Sequence, residues 1–432
     1  MLKVAVIGGG STYTPELING FIERQEQFPL DQLWLMDIDK ERLHIVGQFA
    51  RRMAKSKHAQ FEIILSDNQG EAIENASYVI TQLRVGQMKA RREDEYLGKR
   101  HNLIGQETTG IGGMAKALRT IPVILSIAED MVKFAPAALL VNFANPSGLV
   151  TEALFRYAPE ITSVGVCNAA LTTKMEILKN LNARLGTNFS SSEANIKTLG
   201  LNHLTWYYGL EIQGQDYWPQ IMAALVREMR NQDDPYFDPN TLEHLQMLPN
   251  SYLRYYYYTH KMLEQQDDWP PSRAEEVFDI ETDLLKSYKD KRLSEPPKDL
   301  MKRGGAYYST VATQLLNAHY NDLDEVHVVN TRNNGAVPSW NKDWVLEMPC
   351  RINAKGVFPM PTPALTLECE SLINTLKAYE ILTAKAAVEG DRDAAYKALL
   401  VHPLGPAADK ITMVLNDMLE INQQYLPKFF KE

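Results

Sequence analysis

Cysteine and long apolar runs are scarce in this sequence. Its 432 residues include three cysteines, Cys167, Cys350 and Cys369, and three thiols cannot all pair with one another. This low count is typical of a reduced, cytoplasmic protein without a disulfide framework. No apolar run approaches the roughly 20 residues that span a bilayer, and the opening MLKVAVIGGG turns to glycine too soon for a signal peptide. We therefore expect a cytoplasmic protein without a membrane partner.

An excess of basic charge is also absent. The chain has 45 Lys and Arg against 54 Asp and Glu, a net charge of −9. A protein that binds duplex nucleic acid needs a basic face for the phosphates, so we expect no nucleic-acid partner. A local basic pocket for a small anion stays compatible with this charge. The length is typical of two or three domains, or of one large two-lobed unit.

Short apolar runs alternate with helical patterns through about the first 170 residues. The runs are KVAVIGG, LWLMDID, FEIILSD, SYVITQL, ALLVNFA and SVGVC. Strands that are buried on both faces have this continuous apolar character, which predicts a parallel sheet with helices on each side. The fold class is therefore α/β, with a Rossmann-like doubly wound sheet in a first domain, residues 1–166.

The pattern changes after Cys167. TLGLNHLTWYYGLEI alternates like one half-exposed antiparallel strand, and EVHVVNTRN and WVLEMPCRI predict two more strands. Residues 214–300, which precede these two strands, are predicted to form helices joined by irregular loops. Further helices follow from about Pro363. This predicts a second, α+β domain over residues 167–432, which completes a site at the strand ends.

The segment VAVIGGGSTYTPEL places Gly8, Gly9 and Gly10 at a strand-to-helix turn. Such a turn lets the backbone approach a pyrophosphate, which the helix N-terminus then binds. The match to G-x-G-x-x-G is imperfect, because Tyr13 stands where the third glycine belongs. Asp37, at the end of the next strand, is placed to bind a ribose 2′-hydroxyl, which favours NAD over NADP. A helix cap is the alternative role for Asp37.

Cys167 and His203 are candidate metal ligands. Thiolate and imidazole could share a borderline-soft divalent ion, with substrate oxygens in the remaining positions. Each residue type is more often part of a core, so neither is decisive alone. Asn145, at the end of the strand LLVNFA and before a proline, is either a ligand of the crevice or a turn former.

Three arginines, Arg84, Arg91 and Arg92, lie close together in RVGQMKARREDE. Arginine forks suit a phosphate monoester. The alternative is a solvated helix face, which fits Arg92 better than Arg91. In NSYLRYYYYTHK, four successive tyrosines cannot all face one way on a helix, so one or two at most can reach a site.

Together these segments resemble glycoside hydrolase family 4, particularly its 6-phospho-β-glucosidases. The resemblance runs nearly end to end, and the order and spacing of its segments make it specific. The segments are VAVIGGGSTYTPEL, DID, LRVGQMKAR, NLIGQETTGIGG, ALRTIP, NFANPSG, VGVCN, GLNHL, SYLRYYY, KRGGAYYS, VVNTRNNG and ALLVHPLGP. The resemblance implies an architecture like that of lactate and malate dehydrogenases.

The chemistry that the resemblance implies is a redox-elimination route to glycoside cleavage. NAD takes hydride from C3 of the sugar, and the resulting ketone acidifies the C2 hydrogen. A base removes that proton, the aglycone leaves C1, water adds and the steps reverse. A divalent ion, usually Mn²⁺, polarises the sugar oxygens. The substrate is a phosphorylated disaccharide or aryl β-glucoside, of the cellobiose 6-phosphate type.

The resemblance also implies residue roles. Cys167 and His203 are the metal ligands, and Tyr252 is the C2 base, whose phenol needs the metal or Arg254 to act near neutral pH. The other roles are substrate contacts for Arg91, Asn145, Asn168 and Arg254, a weaker phosphate contact for Arg303, and cofactor contacts for Gly8, Gly9, Gly10, Ser11, Thr12 and Asp37.

Asn168 bears on the anomer. The α-specific relatives carry Asp after the metal cysteine, as an acid for the leaving group, and an asparagine cannot donate a proton that way. The β-type pattern continues with Val-Pro, where this chain has Ala169 and Ala170. A dehydrogenase acting on 2-hydroxy acids and a sugar-phosphate or NAD sensor with a decayed site are the alternatives. Members of the family usually form dimers or tetramers, so we expect a homodimer or homotetramer.

Overall fold

Six parallel strands alternate with helices in the first half of the chain. The computed structural model describes residues 1–304 and 307–431. Its first strands are β1 (Lys3–Ile7), β2 (Gln32–Met36), β3 (Glu62–Ser66), β4 (Tyr78–Thr81), β5 (Leu139–Asn142) and β6 (Thr162–Gly165). The accompanying helices are α1 (Thr14–Glu23), α2 (Lys40–Ser56), α3 (Gln69–Ile73), α4 (Gln87–Arg100), α5 (Gly110–Phe134) and α6 (Ser147–Tyr157).

The strand order is β3-β2-β1-β4-β5-β6, with every neighbouring pair parallel. This is the doubly wound order of dinucleotide-binding sheets, whose ligand crevice opens where the order reverses, between β1 and β4. All six predicted apolar runs are strands here, because each is buried between helical layers. The predicted Rossmann-like fold is confirmed.

The sheet continues into an antiparallel part. Its strands are β7 (Ala194–Leu201), β8 (Leu204–Ile212), β9 (Gln215–Asp216), β10 (Leu248–Pro249), β11 (Glu325–Arg332), β12 (Val345–Asn353) and β13 (Gly356–Pro359). The order onward from β6 is β11-β12-β7-β8-β10, with β13 beside β12 and β9 beside β8. The sheet therefore crosses the predicted domain boundary after residue 166 without interruption.

Helices cover this second part. They are α7 (Ala169–Leu185), α8 (Trp218–Arg230), α9 (Pro239–Leu245), α10 (Arg254–Tyr257), α11 (Thr259–Asp267), α12 (Arg273–Tyr288), α13 (Tyr308–Tyr320), α14 (Leu367–Glu389), α15 (Arg392–Val401) and α16 (Ile411–Ile421). The largest apolar core lies between the sheet and helices of both parts, and it includes Val6, Leu140 and Trp206, which are fully buried.

One prediction for this part is wrong. TLGLNHLTWYYGLEI is not a single strand but belongs to the hairpin of β7 and β8, which are antiparallel. The turn consists of Asn202 and His203, and His203 has a φ of +65°. At Gly200 a Cβ would lie 2.1 Å from the carbonyl oxygen of Leu204, so only glycine fits there. His203 therefore lies in the hairpin turn and not on the face of a strand.

Helix α5 is long and apolar enough to cross a membrane by length and composition, but 78% of its most apolar window is buried inside the protein. It is a core helix. Arg119 on α5 forms a buried ion pair with Asp94 on α4, with an Nη1–Oδ1 distance of 2.7 Å. This pair holds α4 against α5, and both helices carry side chains of the site.

Candidate active site

A cavity of about 1110 Å³ opens at the carboxyl ends of the parallel strands. It is continuous from the turn after β1 to the ends of β5 and β6 and to the hairpin turn of β7 and β8. Sequence candidates that line it are Gly8, Gly10, Ser11, Asp37, Arg91, Asn145, Cys167, Asn168, His203, Tyr252, Arg254 and Arg303. Residues that are hundreds of positions apart in sequence thus share one cavity.

The glycine turn after β1 forms the nucleotide end of this cavity. Gly8 has a φ of +97°, and a Cβ there would lie 2.9 Å from the backbone of Leu83. The N–H of Gly10 donates to Asp37 Oδ2 at 2.9 Å. Gly9 packs against Leu35, where a Cβ would be 2.8 Å away. The turn is therefore tight for packing reasons, and Asp37 holds it from β2.

Asp37 and Thr12 are both held by protein contacts. Asp37 Oδ1 accepts from the N–H of Asp39 at 3.0 Å. Burial raises the pKa of Asp37, and the two backbone donors oppose that shift. Thr12 is fully buried, and its carbonyl accepts from the hydroxyl of Tyr288 at 2.8 Å. Thr12 thus joins the glycine turn to α12, whereas Gly10 and Ser11 face the cavity.

Cys167 and His203 come together in the centre of the cavity. The distance between Cys167 Sγ and His203 Nε2 is 3.5 Å, and His203 Nδ1 lies 3.0 Å from Thr108 Oγ1. Burial lowers the pKa of His203 to about 3, so the imidazole is neutral and its Nε2 lone pair can bind a metal. Cys167 lies at the N-terminus of α7, where backbone N–H groups favour a thiolate.

This pair fits a divalent ion. Metal–sulfur and metal–nitrogen bonds of about 2.3 and 2.1 Å place two ligands of one ion roughly 3–4 Å apart. Burial raises the pKa of the Cys167 thiol to about 12, so the thiolate needs a cation beside it. In the part of the chain that the structure describes, no group of three or more His, Cys, Asp or Glu side chains could hold a metal. If Cys167 and His203 held an ion, its other coordination positions would be left to substrate and water.

Tyr252 lies directly against this pair. Its ring stacks on the imidazole of His203, with centroids 3.8 Å apart and planes 3° apart. Asn250 holds the segment to β8, because its Oδ1 accepts from the N–H of Tyr252 at 3.1 Å and its Nδ2 donates to Thr205 Oγ1 at 3.2 Å. Burial raises the pKa of Tyr252, the neighbouring Cys167 adds to the shift, and Arg91 opposes it.

Arg254 stacks on two tyrosines other than Tyr252. Its guanidinium lies over the rings of Tyr236 and Tyr255, 4.9 and 5.6 Å from their centroids, and it lowers the pKa of Tyr255, which burial raises. Arg91 is the guanidinium that favours the Tyr252 phenolate. The sequence offered Arg254 or a metal for that role.

Three cations surround Glu107. Arg84, Arg91 and Lys116 contact its carboxylate, with Arg91 Nη1 3.2 Å from Oε1 and Lys116 Nζ 2.6 Å from Oε2. Burial alone would raise the pKa of Glu107, but these cations hold it well below its usual range. Burial lowers the pKa of Lys116 to about 7. Arg91 also donates to Glu95 Oε1 at 2.9 Å. We call these five side chains the Glu107 cluster.

Arg92 and Arg303 lie elsewhere. Arg92 is 45% exposed and pairs with Glu93 and Glu275, as a solvated face requires. Arg303 binds Glu281 Oε1 through Nε and Nη2, at 2.9 and 2.7 Å, and its guanidinium lies 5.4 Å from the ring of Tyr13. Arg303 therefore belongs to the nucleotide end of the cavity and not to the Glu107 cluster.

Asn145 and Asn168 line the cavity from the ends of β5 and β6. Asn145 Oδ1 accepts from the N–H of Ser147 at 3.3 Å, so the residue also shapes the turn. Asn168 precedes α7 with helical backbone angles, and α7 begins at Ala169. The two alanines that replace the family's Val-Pro are therefore compatible with a well-formed helix at this point.

Several residues of the site are missing from the sequence prediction. Glu107 and Thr108 lie in the glycine-rich segment GQETTGIGG, and Lys116 follows on α5. An acid within that glycine-rich segment was a usable signal. Glu347, buried on β12, is held by Asn202, which also contacts Cys167. An acid inside the apolar run WVLEMPC was the signal for it.

Comparisons with known proteins agree with this geometry. Residues 3–183 match the model of the family 4 glycosyl hydrolases, and residues 198–405 match the model of their C-terminal domain. A probable 6-phospho-beta-glucosidase of Bacillus subtilis is 39% identical over 100% of this chain and 98% of its own. A solved 6-phospho-beta-glucosidase of Thermotoga maritima, with manganese, NAD⁺ and glucose-6-phosphate, is 34% identical over 99% of both chains, with a TM-score of 0.92.

A more distant likeness concerns the fold alone. Malate dehydrogenase from Plasmodium falciparum, in complex with NADH, is 12% identical with a TM-score of 0.52, covering 90% of this chain and 99% of the dehydrogenase. This confirms the predicted dehydrogenase-like architecture. The two family models together span nearly the whole chain, from the glycine turn to the helices after β13. The chain therefore belongs to glycosyl hydrolase family 4.

Proposed function

We propose that this chain is a 6-phospho-β-glucosidase that cleaves phosphorylated β-glucosides with NAD and a divalent ion, Mn²⁺. The observation that carries the proposal is the placement of Tyr252 against a Cys167–His203 pair. These three side chains share one cavity with a dinucleotide-type glycine turn. The names and bound ligands of the relatives support the same activity.

The Glu107 cluster is the proposed site for the sugar phosphate. Three cations, Arg84, Arg91 and Lys116, meet two carboxylates there, and a phosphate monoester would add the missing negative charge. Arginine forks bind phosphate oxygens in bidentate fashion. Arg84, Arg91 and Lys116 all line the cavity, so a sugar phosphate in it can reach them.

The proposed reaction is oxidation, elimination, addition and reduction. When bound, NAD takes up and returns the hydride of C3, and the metal ion on Cys167 and His203 polarises the sugar oxygens. Tyr252 would act as the phenolate, which Arg91 and an adjacent ion would favour, and would remove the C2 proton once C3 is oxidised. Asn145 and Asn168 bind sugar hydroxyls at the strand ends. The aglycone leaves C1, water adds there, and Tyr252 returns its proton to C2.

Asn168 supports the β-anomer. A carboxylic acid at this position could protonate the leaving oxygen, whereas an amide cannot. Asn168 lines the cavity directly beside Cys167. We therefore propose β-linked substrates, of the cellobiose 6-phosphate or aryl glucoside type.

The geometry does not favour a 2-hydroxy-acid dehydrogenase. Such an enzyme needs a catalytic histidine oriented by a carboxylate. The partner of His203 Nδ1 is the hydroxyl of Thr108, 3.0 Å away, and its Nε2 faces a thiol. Among the described residues, no feature of the cavity favours a decayed sensor, because the side chains proposed as base and metal ligands, Tyr252, Cys167 and His203, lie together there.

The setting of the enzyme is also a proposal. We propose a cytoplasmic protein without nucleic-acid or membrane partners, on the support of the net charge of −9 and the three free cysteines. We also propose a homodimer or homotetramer, on the support of the family alone. The division into an NAD-binding domain, residues 1–166, and a metal- and substrate-binding domain, residues 167–432, remains a prediction.

Hydrolysis of paired p-nitrophenyl α- and β-glucoside 6-phosphates tests the function. The β-compound should be cleaved only when NAD, Mn²⁺ and a reductant are all present, without accumulation of NADH. Steady NADH production would point to a dehydrogenase. Cleavage of neither compound by NAD-loaded protein would contradict the proposal.

A further inference from the structure

A buried carboxylate lies behind the metal ligands. Glu347, on β12, is 1% exposed. Its Oε2 accepts from Asn202 Nδ2 at 2.6 Å and from Asn330 Nδ2 at 3.3 Å, and its Oε1 has no partner among the described residues. A buried carboxylate with one unpaired oxygen is costly to keep. No step of the proposed reaction uses it.

Asn202 links this carboxylate to both metal ligands. Its side chain also hydrogen-bonds to Cys167, which favours the thiolate. It is the first residue of the two-residue turn whose second residue is His203, and His203 is in the left-handed region. A Cβ on Gly148 would lie 2.8 Å from the Cβ of Asn202, so α6 also packs tightly against Asn202. Asn202 has little freedom to move.

The charge of Glu347 is the second reason to connect it with the proposed metal site. Glu347 raises the pKa of Cys167, in addition to the larger effect of burial. Burial also raises the pKa of Glu347, to about 7, and hydrogen bonds from Asn202 and Asn330 oppose that shift. With no cation nearby, each of the two groups disfavours the ionised form of the other. A divalent ion bound at Cys167 would be attracted by both the Cys167 thiolate and the Glu347 carboxylate. A bound ion would therefore offset part of the cost of burying the Glu347 carboxylate.

We propose that Glu347 is a positioning residue for the metal site, which raises its affinity for the divalent ion through Asn202 and through its own negative charge. The proposal rests on the proposed function, because it takes Cys167 and His203 as the ligands. Partners behind the ligands typically change metal affinity about 10–100-fold.

Glu347→Gln tests the charge. Mn²⁺ binding to the full-length, NAD-loaded protein would be titrated by electron paramagnetic resonance of free Mn²⁺. The Kd should rise about 10–100-fold. The melting temperature of the metal-free protein should stay the same or rise, since a buried charge is removed. A merely structural role predicts the opposite, a lower melting temperature with unchanged Kd, and that result would overturn the proposal.

Asn202→Ala tests the link, in case Glu347→Gln alters folding. It should weaken Mn²⁺ binding, and the loss in the double variant should be smaller than the sum of the two single losses in binding free energy, because part of the effect of Glu347 acts through Asn202. The Co²⁺-loaded variants should also show a changed thiolate-to-cobalt absorption band. Additive effects of the two substitutions, or an unchanged band with unchanged Kd, would overturn the proposal.

Two controls separate this inference from the proposed function. Glu370→Gln removes a carboxylate whose Oε1 accepts from Trp340 Nε1 at 2.8 Å, and it should leave the Mn²⁺ Kd unchanged. Cys167→Ser should weaken Mn²⁺ binding. If it does so and Glu347→Gln does not, only the role of Glu347 is wrong. If Cys167→Ser leaves the Kd unchanged, the metal-ligand assignment itself is wrong.

Discussion

The phenol ring of Tyr252 and the imidazole of His203 lie flat against each other, with centroids 3.8 Å apart. A proposed base thus contacts a proposed metal ligand directly. The Nδ1 atom of His203 faces away from the Cys167 thiol and contacts the hydroxyl of Thr108. The stack fixes the phenol relative to the imidazole, so the proposed base and the proposed metal ligand could act on neighbouring sugar atoms.

Tyr252→Phe should keep the stack and lose the base. The expected loss in kcat is about 10²–10⁴-fold, the usual contribution of a positioned base. Exchange of the C2 hydrogen with solvent deuterium, followed by NMR on glucose 6-phosphate, should stop, while Mn²⁺ binding stays. Tyr258→Phe is the matched control, because the Tyr258 hydroxyl accepts from the N–H of Asp238 at 3.0 Å. Continued exchange in the Tyr252 variant would identify another base.

Cys167→Ser should remove metal-dependent turnover and leave NAD binding intact. A serine hydroxyl is a poorer ligand than a thiolate for a borderline-soft ion. Activity with added Mn²⁺ and the Kd for NAD, measured by calorimetry, check the two halves of this expectation. Cys369→Ser is the control, since Cys369 is fully buried beside Thr366. Full activity in the Cys167 variant would exclude the thiol from the mechanism.

The sequence predicted the parallel part of the fold more reliably than the hairpin of β7 and β8. Continuous apolar strands have a local pattern, so β1 to β6 are all predicted. The hairpin turn has no Asn-Gly or Asp-Gly pair, the usual signal of a two-residue turn. Instead, His203 adopts the left-handed conformation itself, and the alternation of the flanking residues resembles one strand.

The residues of the site likewise divide into those with a local sequence signal and those without one. Cys167, His203 and Tyr252 could be named from motifs, because each stands in a short distinctive segment. The Glu107 cluster could not, because Arg84 and Lys116 meet one carboxylate only after α4 and α5 pack together. For the same reason, sequence could not separate Arg303 from the arginines of the Glu107 cluster. Such groupings depend on tertiary packing, which no local pattern records.

Arg91→Ala should raise KM for the phosphorylated substrate far more than for the dephosphorylated sugar. Loss of a charged hydrogen bond is worth about 1.5–3 kcal/mol, or about 10–100-fold in KM. Arg92→Ala is the matched control on the next position of α4, since Arg92 is 45% exposed. Both substrates are compared by initial rates. Equal losses for both would mean that Arg91 supports only the structure, through Glu95 and Glu107.

Lys377 is a fully buried cation on α14. Its Nζ donates to Glu152 Oε2 at 2.8 Å, to Glu380 Oε2 at 2.6 Å and to the carbonyl of Val345 at 2.7 Å. Lys377→Met would leave the buried Glu380 without its cation and Glu152 with Arg156 alone, so the free energy of unfolding should fall by about 3–5 kcal/mol. Lys385→Met, on the same helix and 46% exposed, should cost no more than about 1 kcal/mol. Urea unfolding of both variants measures the difference, and equal losses would show that burial of the Lys377 network does not set its contribution to stability.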